Sequence, residues 1–290
     1  MTTLGIAFRP QNPPERLREI ARVADESGLD ELWIWEDCFL EGGIATTAAA
    51  LAWTERVRIG VGVLPVPLRN IALAAMEIAT LERMFPGRAI WGVGHGVQEW
   101  MGQAGARVDS PVTLLGEYLD GLRRLLSGER VTVQGRYVTL DEVALDWPPA
   151  TAPRLLSAAT GPRTLRLVGE KADGAVLTSG TTPDMARRAI ELMGEGRAAA
   201  ARADKPYVVI NLATATGTGA AERLEADLRA MGRADIEGLG VAGDAQAVAD
   251  AVARMVDAGA DSVALQPTAD EPDLEGFVRF VAEKVRPLVP

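Results

Sequence analysis

The chain has 290 residues, with 40 acidic against 30 basic side chains and a formal charge of −10, so a polyanionic nucleic-acid backbone is excluded as a natural partner. At 48% hydrophobic and 24% charged residues the composition is that of an ordinary globular protein and excludes disorder as a general description. A single cysteine, Cys38, leaves no intramolecular disulfide, and a single histidine, His95, leaves no histidine-rich metal centre, so no metal site is expected.

The N-terminal stretch MTTLGIAFRP lacks the basic, apolar and small-residue succession of a secretory signal. No segment reaches the roughly 18 uninterrupted apolar residues of a membrane span, so a cytoplasmic protein with no membrane partner is expected. Eight short apolar runs then follow along the chain: Leu4 to Phe8, Leu32 to Trp35, Val57 to Leu64, Ala89 to Val93, Arg154 to Ala158, Gly174 to Thr178, Tyr207 to Ala213 and Asp261 to Gln266. Each is nearly continuous in apolar residues, the pattern of strands covered on both faces.

Between the runs lie segments of helical period: 13–27, 44–53, 70–85, 111–126, 163–169, 182–203, 220–231 and 244–258, with a last one over 274–285. Three helix ends enter strands alike, as ESGLDELWI, GEKADGAVL and DAGADSVAL, the expected form of αβ connections. Eight strands in sequential βα order predict one (β/α)8 TIM barrel, an α/β fold in a single domain over 1–290, with a doubly wound sheet as the other arrangement. Two stretches interrupt the regularity. Residues 131–143 read as an inserted hairpin around Gln134 and Gly135, and residues 214–242 are too long for a plain connection and are expected to form a lid.

In a barrel the residues just after each strand build the active site. Here they include Arg9, Asp37 with Cys38, Gly62-Val63-Leu64, Gly94-His95, Gln98, Thr160-Gly161, Thr178, Thr214 and Gln266. Gly60 and Gly62 stand inside a β-branched run, which marks either a bulge approached by a ligand or a barrel interior that demands small side chains. His95, between two glycines at a strand end, is the candidate acid–base group, with Gln98 within one turn of it. Gly161 and Pro162 open a helix whose free N–H groups suit a phosphate, with Arg163 beside it; an ordinary helix start capped by Thr160 accounts for the same residues.

The stretches GVGVLPVPLRN, AMEIATLERMFPGRAIWGVGHG, ATGPRTLRLVGEKADGAVL and VAGDAQAVADAVARMVDAGADSVAL together resemble the bacterial luciferase-like superfamily, in its branch of flavin-dependent monooxygenases and coenzyme F420-dependent oxidoreductases. The resemblance spans nearly the whole chain. It implies a barrel with an insertion, a homodimer, and bound coenzyme F420, with FMN as the alternative. It also implies a non-prolyl cis peptide between Gly62 and Val63 that presses on the centre of the ring.

The cofactor-binding residues it implies are Gly62, Val63, Leu64, Gly94, His95 and Gln98 about the ring, with Thr160, Gly161, Pro162, Arg163 and Thr164 at the phosphate. Relatives that use F420 commonly read Asp-His where this chain has Asp37-Cys38, and some carry a carboxylate where it has His95. The catalytic expectation therefore falls on His95, with Asp37 and Cys38 beside it. The implied activity is hydride transfer to or from a small organic substrate under the 214–242 lid. A flavin-binding protein without turnover and a non-redox barrel taking a phosphorylated substrate are the rival readings.

Overall fold

In a computed structural model, residues 2–233 and 238–289 are described. The strands are β1 (Thr3–Ala7), β2 (Glu31–Ile34), β3 (Arg58–Pro65), β4 (Ala89–Gly94), β5 (Val131–Gln134), β6 (Thr139–Val143), β7 (Leu155–Ala158), β8 (Gly174–Leu177), β9 (Tyr207–Ala215), β10 (Gly240–Ala242) and β11 (Ser262–Pro267). Eight of them run parallel in the order β9-β11-β1-β2-β3-β4-β7-β8, and β8 pairs back onto β9. That closure, in register from Gly174↔Tyr207 to Leu177↔Ile210, makes the molecule a (β/α)8 barrel and removes the doubly wound alternative.

The helices are α1 (Leu17–Glu26), α2 (Gly43–Trp53), α3 (Ile71–Met84), α4 (Gln98–Gln103), α5 (Pro111–Leu126), α6 (Pro162–Lys171), α7 (Pro183–Ala199), α8 (Ala220–Ala230), α9 (Ala245–Asp257) and α10 (Leu274–Phe280). Side chains of Asn70, Thr182, Asp244 and Asp273 cap α3, α7, α9 and α10 by accepting a first-turn N–H. The recurrent helix-to-strand sequence has a shared physical cause. Asp30 Oδ2 accepts the N–H of Leu4 at 2.9 Å, Asp173 Oδ2 that of Leu155 at 2.8 Å, and Asp261 Oδ2 that of Val208 at 2.9 Å. Each aspartate precedes one strand and ties down the start of its neighbour, satisfying an amide the ladder leaves free.

The barrel is filled by a layer of inward side chains, Ala7, Trp33, Ile90, Leu156, Val176, Val209 and Ala264. One comes from each barrel strand except β3, which offers Gly60. A Cβ at Gly60 would lie 2.4 Å from the Trp33 ring, so this glycine exists to admit the indole. Below that layer the Trp33 Nε1–H donates to Glu31 Oε2 at 2.8 Å, and Glu31 also accepts from Ser262 Oγ and Arg58 Nη2. Burial holds the Glu31 carboxyl above its ordinary value.

The hairpin forms as expected: β5 and β6 pair antiparallel, outside the barrel, before β7. The 214–242 stretch is more ordered than a loop. β9 continues to Ala215, α8 follows, and β10 adds to β9 in parallel with Gly240 opposite Ala213. Residues 234–237 of that stretch lie outside the described residues. Helix α4, directly after His95, was not expected, and α7 stops at Ala199, short of the predicted 203. Among the described residues no helix is long and apolar enough to cross a membrane, and no group of three His, Cys, Asp or Glu is placed to hold a metal ion.

Candidate active site

Above the Trp33 layer the next residues of the strands open into a cavity of about 430 Å³, a volume suited to a cofactor ring and a small ligand. Arg9 follows β1, Trp35 and Asp37 follow β2, Gly62 and Val63 lie in β3, Gly94 ends β4 and His95 follows it, Ala158 ends β7 and Thr160 follows it, Thr178 and Ser179 follow β8, Asn211 lies in β9 and Gln266 in β11. Period-2 alternation explains much of the set, since Arg9, Trp35, Ala158, Thr178, Asn211 and Gln266 each stand two residues beyond an inward member of the layer below and Gly62 two beyond Gly60, while Asp37, His95 and Thr160 lie in the connections beyond their strand ends.

β3 changes register against β4 between Val61 and Leu64, and the peptide bond from Gly62 to Val63 is cis. Gly62 faces Trp33 and Val176, and Gly92 and Gly94 leave room for the Val63 side chain, whose methyls lie 2.8 Å from where a Cβ would stand at either. The two readings of the strand-three glycines therefore divide: Gly60 serves packing and Gly62 shapes the cavity wall. A second cis bond, from Cys38 to Phe39, was not anticipated.

The loop after β2 is held by Glu36. Its carboxylate forms a two-pronged ion pair with Arg69, with Arg69 Nη2 donating to Oε2 at 2.8 Å, and Oε2 also accepts the Gly43 N–H at 2.7 Å at the start of α2. This fixes Asp37 toward the cavity, where Oδ2 accepts from Trp35 Nε1 at 3.0 Å. Burial raises the Asp37 carboxyl above its ordinary value, against the opposing pull of Trp35 and Arg9. Cys38 does not line the cavity. Burial and the neighbouring Glu36 and Asp37 push its thiol up, so at neutral pH it is a neutral S–H with weak nucleophilicity.

His95 is half-buried on the cavity wall, with Nδ1 3.4 Å from the Gly96 carbonyl oxygen. Gln98 is turned away from the cavity; its Nε2 donates to the His95 carbonyl at 3.0 Å and bridges to Gly96, holding the turn that presents the histidine. Leu64 is buried against α2 and Thr164 inside α6, neither on the cavity. Thr214, read from the sequence as a strand-end candidate, is also buried and donates to the Leu212 carbonyl at 2.8 Å. Of the tryptophans, Trp35 and Trp100 line the cavity, whereas Trp91 lies in the core with Nε1 on Glu82 at 2.7 Å.

A groove of about 380 Å³ continues from the cavity, sharing Ala159, Thr160 and Thr178 with it and running past Pro162 between α6 and α7 to Arg188 and Arg233. At its near end α6 starts from Gly161, which has no side chain to cap it, and not from Thr160. A Cβ at Gly161 would meet nothing within 4 Å, so there is open space beside this uncapped helix start with its free N–H groups and positive end. Arg163 is exposed on the first turn.

The rim is clamped on the far side. Arg9 Nη1 donates to both Asp227 oxygens, at 2.9 and 2.7 Å, and to the Pro267 carbonyl at 3.2 Å. This buried pair ties α8 to the ends of β1 and β11 and sets Met231, beyond α8, at the cavity mouth with its sulfur 3.8 Å from Ser179 Oγ. The sequence did not suggest Asp227 or Asn211.

Glu41, between the β2 loop and α2, has both carboxylate oxygens shielded without a hydrogen-bond partner, and burial lifts its carboxyl to about 7. The folded chain therefore binds this proton more tightly than the unfolded chain, whose carboxyl titrates at the ordinary value of 4.5. Stability falls as pH rises through that window and stays lowered above it. Thermal melts of Glu41→Gln should match the natural chain below pH 4.5 and exceed it above pH 7; parallel curves at all pH values would contradict this.

A model of the family described as luciferase-like monooxygenase matches residues 2–231. The chain is 31% identical over 183 residues to a 5,10-methylenetetrahydromethanopterin reductase of Methanolobus tindarius, covering 63% of this chain and 56% of that protein. It is 35% identical over 195 residues to an F420-dependent glucose-6-phosphate dehydrogenase of Kineococcus radiotolerans, covering 62% of this chain and 57% of that protein. The chain thus matches a little over half the length of these relatives. The fold is shared with an F420-dependent secondary alcohol dehydrogenase solved with an F420-acetone adduct, at a TM-score of 0.89 and 22% identity over 100% of this chain and 99% of the other.

Proposed function

Because the chain belongs to the luciferase-like monooxygenase family, we propose that it is an oxidoreductase using coenzyme F420, with FMN the alternative cofactor, and acting on a small organic molecule. The observation that carries this reading is the continuous path from the Gly62–Val63 wall, through the cavity, to the uncapped start of α6. It fits a flat ring joined to a phosphate. The similar proteins named for F420 support the deazaflavin over FMN.

F420, when bound, supplies two-electron hydride transfer at the central carbon of its ring. Val63, Gly62 and Gly94 would form the wall that holds the ring, and Ala158 and the Trp33 layer would exclude water from that side of the cavity. Thr160 and the first N–H groups of α6 would hold the phosphate, with Arg163 beside them. His95 exchanges a proton with the substrate oxygen through Nε2, because Nδ1 faces the Gly96 carbonyl. Asp37, a partly desolvated carboxyl after β2, one strand beyond β3 from it, supports it.

The reading is tested by incubating the purified chain with oxidised F420 and a panel of alcohols, and with reduced F420 and a panel of ketones and enones. Loss or gain of the deazaflavin absorbance with at least one panel is expected. Binding of the coenzyme without turnover would make it a binding protein, and binding of neither F420 nor FMN would remove the reading.

The second part of the proposal is a homodimer. Phe39 and Leu40 in the β2 loop, and Leu73 and Met76 one turn apart on α3, are exposed apolar side chains, the kind that a subunit contact covers. Light scattering should give twice the chain mass, and Met76→Glu combined with Leu73→Arg should give the single mass; a natural chain that is monomeric at micromolar concentration would contradict it.

A further inference from the structure

In the closed strand order, β9 stands diametrically across from β3, with three strands between them on either side. A ring against the β3 wall therefore leaves β9, β11 and β1 to face the substrate. The polar side chains there are Asn211, Gln266, Arg9 and Gln11. Asn211 is 5% exposed, and its Oδ1 is buried with no hydrogen-bond partner. Leaving such an acceptor unpaired is costly. Gln266, 4% exposed, lies one strand away.

The charges around this half are already answered. Arg9 is engaged by Asp227 and the Pro267 carbonyl, and its Nε by Gln11. Glu36 is engaged by Arg69. Among the described residues on this half of the cavity Arg9 is the cation and it is already paired with Asp227, while Asp37 is a carboxylate without a cation of its own, so β9, β11 and β1 offer no unpaired positive charge to a dianion. A buried phosphate group needs charge-assisted donors to replace its water.

We propose that this half of the cavity selects a neutral substrate carrying a hydroxyl or amide group, which pairs with the Asn211 carboxamide with Gln266 as a second contact, and that it rejects phosphate esters. The proposal deepens the oxidoreductase reading and rests on its placement of the ring. Asn211 is then a specificity-determining residue, and the carboxamide that is unpaired in the free chain is paired in the complex.

The test measures dissociation constants on the cofactor-loaded chain for probes that differ in charge: glycerol and glycerol 3-phosphate, glucose and glucose 6-phosphate, with propan-2-ol and acetamide as small neutral probes. At least one neutral probe is expected to saturate at millimolar concentration, with its phosphate ester about tenfold weaker or more. Asn211→Leu should weaken the neutral probe by about tenfold, the factor for one lost hydrogen bond, without changing cofactor affinity. Asn211→Asp keeps an acceptor and should retain neutral binding, which separates a lost contact from a damaged fold. Gln266→Arg should bring in the phosphate ester.

Tighter binding of a phosphate ester than of its neutral partner, no change in Asn211→Leu, or no binding of any neutral probe would each overturn the proposal. Should neither ring bind, the oxidoreductase reading fails first. The same panel on the bare chain then reads the charge preference directly, with the same outcomes deciding it.

Discussion

Replacing His95 by asparagine is expected to lower turnover by about 10²- to 10⁴-fold, the usual contribution of a positioned acid–base group, while cofactor affinity changes little. The separation follows from position. His95 stands on the wall at the end of β4, and Gln98 and the Gly96 carbonyl fix its backbone and Nδ1, so asparagine keeps a polar contact and loses the proton exchange. The loss should appear in kcat at saturating substrate. Turnover equal to that of the natural chain would remove His95 from the mechanism and leave Asp37 as the group to test.

The largest stability effect is expected at Asp227. Arg9 and Asp227 are 7% and 8% exposed and meet through both carboxylate oxygens. Asp227→Ala leaves a buried guanidinium without its counter-charge, which costs about 3–5 kcal/mol. Asp227 Oδ1 also accepts the Ala269 N–H at 3.3 Å, so the same change frees the turn after β11. Helix α8 would lose its tie to β1, and the Met231 segment at the cavity mouth would loosen with it. Denaturant unfolding should show the loss directly. The paired replacement Arg9→Met with Asp227→Leu removes both charges and should recover most of it, since a matched apolar pair of similar volume is often neutral or better. A single variant as stable as the natural chain, or a paired variant no better than the single one, would contradict a clamp of this kind.

The strands and most helices were legible because buried parallel strands are continuous in apolar residues and amphipathic helices repeat with their own period. Strand ends shifted by one or two residues. Closure was not legible from any one stretch, because it depends on β8 meeting β9 across a helix, and open and closed sheets share the βα rhythm until that pair is seen. Gly60 shows the same limit: its reason is the Trp33 ring, 27 positions earlier in the sequence.

At the site, residues at strand ends were the readable ones. Arg9, Asp37, His95, Thr160 and Gln266 all reach the cavity. Asn211 was missed because it lies inside the apolar run YVVINLATA; a lone carboxamide in an otherwise apolar strand is a signal in itself, since nothing but a partner or a ligand justifies its burial. Gln98 has the right spacing to reach the cavity, but its nearest acceptors are backbone carbonyls, and they take its amide. Asp227 is 218 positions from Arg9, a separation at which charge pairing leaves no local pattern.

The central claim is that one ring-and-phosphate cofactor lies along the cavity from the Gly62–Val63 wall to the start of α6. Titration of the chain with F420 and, separately, with FMN, followed by ring fluorescence, tests it directly. The account predicts saturable binding of one ring per chain, tighter for F420, and weakened when Gly161 is replaced by proline, which removes the N–H of the residue that caps the start of α6. Absence of saturable binding by both cofactors would contradict it.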